Sequence, residues 1–99
     1  MPTISPTYLL TDEVSLRVDS GVTAISQGER TVLLDYRRGQ YYGLDEIGSL
    51  IWRLLAEEAR YSAIVSTVVA QYDVSIETAS ADIAAIIAEF VDRGLVHNG

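Results

Sequence analysis

Apolar residues alternate along the first part of the chain and then recur every three to four residues, with the change of period near residue 45. Val14, Leu16 and Val18 alternate with Ser15 and Arg17 before Asp19-Ser20-Gly21 marks a turn, which predicts a short first strand. Val22 to Ser26 is placed to return as its partner. After Gln27-Gly28, the run RTVLLDY (residues 30–36) is a stronger, β-branched and aliphatic strand. Arg37-Arg38-Gly39 fits a three-residue hairpin loop with Gly39 in the left-handed conformation, and QYYGL (residues 40–44) brings the chain back. Alternation turns Tyr42 and Leu44 toward the core and Tyr41 and Gly43 outward.

Helical spacing takes over after Asp45, a suitable N-cap: Ile47, Leu50, Ile51, Leu54 and Leu55 form one wide apolar stripe. Trp52 falls off that stripe and requires a second surface. A second helix is predicted from about Tyr61 to Tyr72 on Ile64, Val65, Val68, Val69 and Tyr72. Ser75 caps a third and longest helix with the stripe Ile76, Ala79, Ile83, Ile86, Ile87 and Phe90; Gly94 ends it, with Leu95 placed to pack back on Phe90. Val96 to Gly99 reads as a tail. The expected fold is α+β, a three-stranded antiparallel sheet followed by three helices in a winged helix-turn-helix arrangement. Residues 1–12, with Pro2 and Pro6 and no periodicity, read as an irregular lead-in, and residues 13–97 as one domain.

Composition narrows the chemistry. There is no cysteine, and all seven basic residues are arginine, so thiolate chemistry, Schiff bases and a P-loop lysine have no residue to support them. His97 is the one imidazole and sits in the expected tail, where solvation is its ordinary state. The carboxylate pairs Asp45-Glu46 and Glu57-Glu58 are sequence neighbours that diverge on a helix, so they make no acid–base dyad by themselves. The sequence is therefore read as a non-enzyme with no cofactor or metal. No apolar run approaches the roughly 20 residues that cross a bilayer, and the first ten residues lack a signal-peptide layout, so a cytoplasmic protein without a membrane partner is expected.

A helix-turn-helix arrangement raises DNA binding, but charge opposes it. Between Asp73 and Arg93 five carboxylates face one arginine, a local charge of −4 on the helix that would meet phosphate, and the whole chain carries −7. A different ligand suits the pattern. A sheet ending on residues 40–44 leaves unpaired backbone groups that an extended peptide satisfies by adding a strand. The third helix is the natural second wall: counting about 100° per residue puts Thr78, Asp82, Glu89 and Arg93 along one flank of its core arc, beside Ala79 and Ile86.

The runs TVLLDYRRGQYYGLDEIGSLIWRLL and IVSTVVAQYDVSIETASADIAAIIAEFVDRGLV resemble the PqqD-like family, the precursor recognition elements of ribosomally made peptides, over roughly residues 14–96. The shared features are a strand pair through a basic-glycine turn, Tyr and Leu before a small-residue helix start, a Tyr-Asp-Val link and an Asp-Ile pair in the last helix. As a free-standing small chain it looks most like the leader-binding proteins of lasso-peptide biosynthesis. That resemblance implies a non-catalytic adaptor that takes a precursor's leader peptide as an added strand beside the third helix. It further implies delivery to a separate cysteine-protease-like leader peptidase, after which a cyclase closes the core. Carried over by position, the edge falls on Gln40, Tyr41, Tyr42, Gly43 and Leu44. The helical wall falls on Ala79, Asp82, Ile83 and Ile86, with Asp82 as the principal polar contact. Two positions depart from the family: Arg60 stands where a capping Ser or Thr is expected, and Asp45-Glu46 replaces an asparagine-centred helix start. The alternative within the family is a peptide chaperone for a radical enzyme of quinone-cofactor biosynthesis; outside it, a DNA-binding regulator on fold alone.

Overall fold

The computed structural model describes residue 11 and residues 15–98. Apart from Thr11, the expected lead-in lies outside the described residues, as does Val14 of the expected first strand. The elements run β1 (Leu16–Val18), β2 (Val22–Gln27), β3 (Arg30–Asp35), β4 (Gln40–Leu44), α1 (Glu46–Ala56), α2 (Tyr61–Tyr72), α3 (Ile76–Asp92) and β5 (Val96–Asn98). Strands β2, β3 and β4 form a three-stranded antiparallel sheet in that order, and the three helices follow it.

Two expectations about the ends of the fold are corrected. The first strand does not pair with Val22–Gln27. It pairs antiparallel with β5, Val18 opposite Val96 and Arg17 opposite His97, while Val22–Gln27 pairs with β3 instead. Residues 96–98 of the expected tail are therefore a strand, with Val96 fully buried; the equally buried Leu95 just before it is joined to the first strand's end by the Asp19 N–H donating to its carbonyl at 2.8 Å. A three-residue strand is too short to show a period, so only tertiary pairing reveals it.

The β3–β4 loop is one residue longer than expected. Asp35 pairs with Gln40, which leaves Tyr36 to Gly39 as the loop, with Gly39 at φ +66°. The cause is the Asp35 side chain: its Oδ1 accepts from the Arg37 and Arg38 amides (3.0 and 3.2 Å), an Asx-type turn that starts the loop at Tyr36 and ends its pairing with β4.

The helix ends follow the sequence signals. Asp45 Oδ1 accepts from the Gly48 amide at 2.8 Å and Ser75 Oγ from the Thr78 amide at 3.1 Å, whereas Arg60 makes no side-chain cap on α2. At the end of α3 the Leu95 amide donates to Phe90 O and the Gly94 amide to Val91 O, both near 3.0 Å, a Schellman closure with Gly94 at φ +74°. The core joins Leu33 of the sheet to Ile51 and Leu55 of α1, Ile64 and Val68 of α2, and Ala79, Ile83, Ile87 and Phe90 of α3. Trp52 finds its second surface on Phe90, edge to face with ring centroids 5.3 Å apart. Ile76, expected in the buried stripe, is 63% exposed. Its angle on the helix lies within the buried arc, so this is an end effect: Ile76 is the first residue of α3, and burial along that arc begins one turn later at Ala79.

Candidate functional site

Strand β4 is an edge of the sheet, and its register shows which backbone groups are free. The Tyr36 amide donates to the Gly21 carbonyl, 3.0 Å away at the start of β2. Successive residues in a strand turn their amides to opposite sides, so Leu34 and Val32 also bond toward β2, while Asp35, Leu33 and Thr31 bond toward β4. Their partners Gln40, Tyr42 and Leu44 close the ladder with β3. The N–H and C=O groups of Tyr41 and Gly43 then point out of the open edge.

A trough runs beside that edge. One part, of about 320 Å³, is lined by Tyr41, Tyr42, Gly43 and Leu44 on the strand and by Glu89, Phe90, Arg93 and Leu95 on the other side. A second part, of about 520 Å³, continues past Gly43 and Leu44 to Arg30, Thr31, Val32 and Ile86. The two share Gly43, Leu44, Glu89 and Phe90, so they form one continuous surface depression between β4 and α3. The walls are polar at their tips and apolar below. The Arg93 guanidinium stacks 4.9 Å from the Tyr42 ring centroid and bonds Glu89 at 2.9 Å; that Glu89 contact raises the Arg93 pKa, so the cation is permanent.

Of the residues singled out from sequence, Tyr41, Tyr42, Gly43, Leu44, Ile86 and Glu89 come together around this trough. Gln40 begins the same strand and is exposed. Thr78 and Asp82 are exposed on the same helix flank but line neither part of the trough. Asp82 sits one turn before Ile86, about 6 Å nearer the N-terminus of α3. Ala79 and Ile83 are 1% and 0% exposed, so they back the wall from within the core and offer no surface. Phe90 as the floor and Arg30 at the far end were not in the sequence-derived set. Arg93, counted there on the flank, proves to be a wall of the trough.

Two carboxylates hold the turn end of β4. Asp35, 1% exposed, bonds Arg38 at 3.1 Å; burial alone would raise its pKa, but the Arg38 guanidinium and the two loop amides outweigh it and hold the carboxyl below its ordinary value. Asp19 accepts from the Gly21 amide and lies 3.3 Å from both Arg37 Nε and His97 Nε2. His97, expected as a solvated tail residue, is thus a half-exposed strand residue facing a buried carboxylate. At the opposite end of the sheet Glu29 and Glu46 share a hydrogen bond, which, with their mutual repulsion, raises the Glu46 pKa. Among the described residues no group of three His, Cys, Asp or Glu side chains is placed to hold a metal, and no helix is long and apolar enough to cross a membrane.

Comparison with known families places this geometry. The family model described as coenzyme PQQ synthesis protein D (PqqD) matches residues 30–96, from the start of β3 to the start of β5. The chain belongs to the PqqD family. Among solved structures, TbiB1 in complex with the TbiA(beta) leader peptide is 31% identical, with a TM-score of 0.79 over 82% of this chain and 94% of that one. A lasso peptide synthetase B1 complexed with its leader peptide matches at 24% identity and TM-score 0.77, over 84% of this chain and 98% of the other, and shares the fold. No curated protein matches. The PqqD-family match covers β3, β4 and all three helices, the elements that build the trough.

Proposed function

We propose that this PqqD-family chain is a non-catalytic adaptor that binds the leader of a ribosomally made precursor peptide. The leader adds as a strand along β4, with alternate side chains dipping into the trough toward α3, and the adaptor presents the downstream bond to a separate leader peptidase in lasso-peptide biosynthesis. The observation that carries the reading is the open β4 edge, with the Tyr41 and Gly43 backbone groups turned outward beside an apolar-floored trough. Likeness to TbiB1, whose structure holds a leader peptide, supports it. Backbone pairing supplies affinity and the floor at Phe90, Leu44 and Ile86 supplies selectivity, enough for micromolar binding, roughly −8 kcal/mol.

The family description favours a second reading, the same peptide-chaperone role for a radical enzyme in quinone-cofactor biosynthesis. The two differ in the peptide. DNA binding is disfavoured by Glu77, Asp82, Glu89 and Asp92, all exposed on α3. The test is fluorescence anisotropy of a labelled synthetic leader from the short precursor gene beside this one, with a scrambled peptide as control. Saturable binding of the true leader alone is expected. A folded protein that binds neither peptide refutes the adaptor reading, and binding of a quinone-cofactor precursor in preference to the leader selects the second.

A further inference from the structure

The inner face of the sheet is covered by helices on β3 and β4 but not on β2. Thr31, Leu33 and Asp35 of β3 point inward and are buried, and α1 packs against β3 and β4. Residues directly opposite one another in a ladder share a face, so Ala24 and Ser26, opposite Leu33 and Thr31, also lie on the inner side, yet both stay exposed. Between them, α1 and the end of α2 runs a groove of about 500 Å³, the size of a small-molecule site.

Glu29 of the β2–β3 loop and Glu46 of α1 both line this groove and share a hydrogen bond. Two carboxylates can bond to each other only through a proton, so the pair frames a position that another cation fits. Asp45 adds to the negative field and Arg30 opposes it. Tyr72, whose pKa is raised by burial and then by Glu46, Glu29 and Asp45, lines the same groove. Thr31 is a separate sign of a ligand. It lines the groove, is 9% exposed, and its hydroxyl has no hydrogen-bond partner among the described residues. On the inner face its cross-strand neighbours are Leu44 toward the trough and the small, exposed Ser26 toward the groove, so the hydroxyl opens to the groove.

The rest of the lining says which cation fits. Leu50 stands one helical turn beyond Glu46, and Trp52 and the Tyr72 ring line the groove with it, walls that suit a hydrocarbon chain better than a hydrated ion. Among the described residues no group of three His, Cys, Asp or Glu side chains is placed to hold a metal. The one cation of the lining, Arg53, lies two turns from Glu46, about 10 Å along α1, and within 4.0 Å of Glu57. A primary ammonium carries three N–H donors, and two carboxylates and one hydroxyl without a partner can accept them.

We infer that this groove binds a primary alkylammonium group, borne by a free amine or by a lysine side chain, with its nitrogen at Glu29, Glu46 and Thr31 and its chain along Leu50 and Tyr72. The site is separate from the β4 edge and stands whether or not a leader binds there.

The test titrates the full chain by calorimetry, at constant ionic strength and pH 7, with cadaverine and separately with Nα-acetyl-lysine N-methylamide; Trp52 emission gives a second readout at the groove. Saturable one-to-one binding of at least one amine at about 1 mM or tighter is expected, and the tighter of the two tells a free diamine from a lysine in a chain. Pentanediol, of similar length but uncharged, should not bind. Glu29→Gln should weaken amine binding by about tenfold or more while raising the melting temperature, so the loss cannot come from unfolding. Thr31→Val keeps the shape and removes only the hydroxyl; it should weaken binding by about threefold or more without lowering the melting temperature. Affinity should also fall as pH drops through the raised Glu46 value, when protons fill the pair. Four results would each overturn the inference: no saturation by either amine, equal binding of pentanediol, an affinity unaltered in either variant, which would mark diffuse attraction of cations to a chain of −7, or displacement of the amine by millimolar Mg²⁺ at the same ionic strength.

Discussion

Replacing Gly43 by proline separates the edge from the ladder. Proline removes one N–H and places its ring where that hydrogen pointed. At Gly43 the N–H faces the open edge, so no bond to β3 is lost, and a β-carbon there meets no atom of the protein within 4 Å. Proline is tolerated in an edge strand on these terms. Narrowing φ to about −65° costs a little, and the stiffer unfolded chain returns roughly 0.4–1 kcal/mol, so stability should stay within about 1 kcal/mol of wild type. Leader binding should not survive so well. The added strand loses one hydrogen bond, its own carbonyl is left unpaired at a cost of about 1–3 kcal/mol, and the ring obstructs close pairing. The combined loss is about 3 kcal/mol, on the order of a hundredfold in affinity. Tyr42→Pro is the contrast: its N–H closes the ladder to Leu33 and its ring carries Arg93, so it should cost about 3 kcal/mol of stability. Urea unfolding followed by the fluorescence of the single tryptophan, buried against Phe90, reads stability, and leader anisotropy reads affinity. A destabilised Gly43→Pro protein would show that the amide is not free, and an unchanged leader affinity would remove β4 as the docking edge.

Phe90→Ala should cost about 3–5 kcal/mol, because it opens the contact with Trp52, and should also weaken leader binding in the fraction still folded, because Phe90 floors the trough; urea midpoints and anisotropy at low temperature separate the two losses. Arg60→Ser should add about 1 kcal/mol by giving α2 the cap it lacks, in a residue whose backbone already has extended capping geometry, seen as a higher urea midpoint. Asp35 has a lowered pKa, so its contribution is present above the ordinary aspartate value near 3.8 and lost as pH falls through the lower folded value. Asp35→Asn should therefore melt earlier than wild type at pH 7, with the gap closing in acid. Glu46 has a raised pKa, so its protonated form is favoured by folding and stability is lost as pH rises through the raised value. Glu29→Gln should raise the melting temperature at pH 7 and make no difference below the ordinary glutamate value near 4.5.

Elements with a long hydrophobic period were legible in the sequence. The stripes of α1 and α3, their caps at Asp45 and Ser75 and the stop at Gly94 are local signals, and local hydrogen bonds realise each of them. The β2–β3–β4 order was nearly as clear, because its hairpins connect neighbours. What eluded sequence reasoning depends on distant partners. Strand β5 exists because β1, some 80 residues earlier, pairs with it, and no window of the sequence holds both. The trough was legible in outline, since helical angle alone put Glu89, Ile86 and Arg93 on one flank. Angle carries no depth or axial position, so it could not tell Ala79 and Ile83, which the core covers, from Ile86, or show that Asp82 lies a turn short of the trough.

On the adaptor reading, the turn end of β4 accounts for how a chain this small holds an open edge in order. An unanchored edge strand frays, and a peptide that must first order it loses affinity to that ordering. Here the buried carboxylates Asp35 and Asp19 both sit behind the β3–β4 loop. Asp35 holds the loop amides and Arg38, and Asp19 links Arg37 of the loop to His97 on β5. The Arg38 guanidinium lies directly over Gly94, where even a methyl group would collide with it, so the loop seats against the end of α3. Arg93 on Tyr42 makes the second crossing between the same two elements. The two arginines thus fix the spacing of β4 and α3 from one end, which sets the width of the trough before any peptide arrives. On this logic the glycine at 94 serves twice, once for the left-handed helix stop and once for the arginine that lies on it. Gly94→Ala should therefore push the Arg38 guanidinium aside as well as strain the cap, and lower leader affinity by more than its loss of stability accounts for.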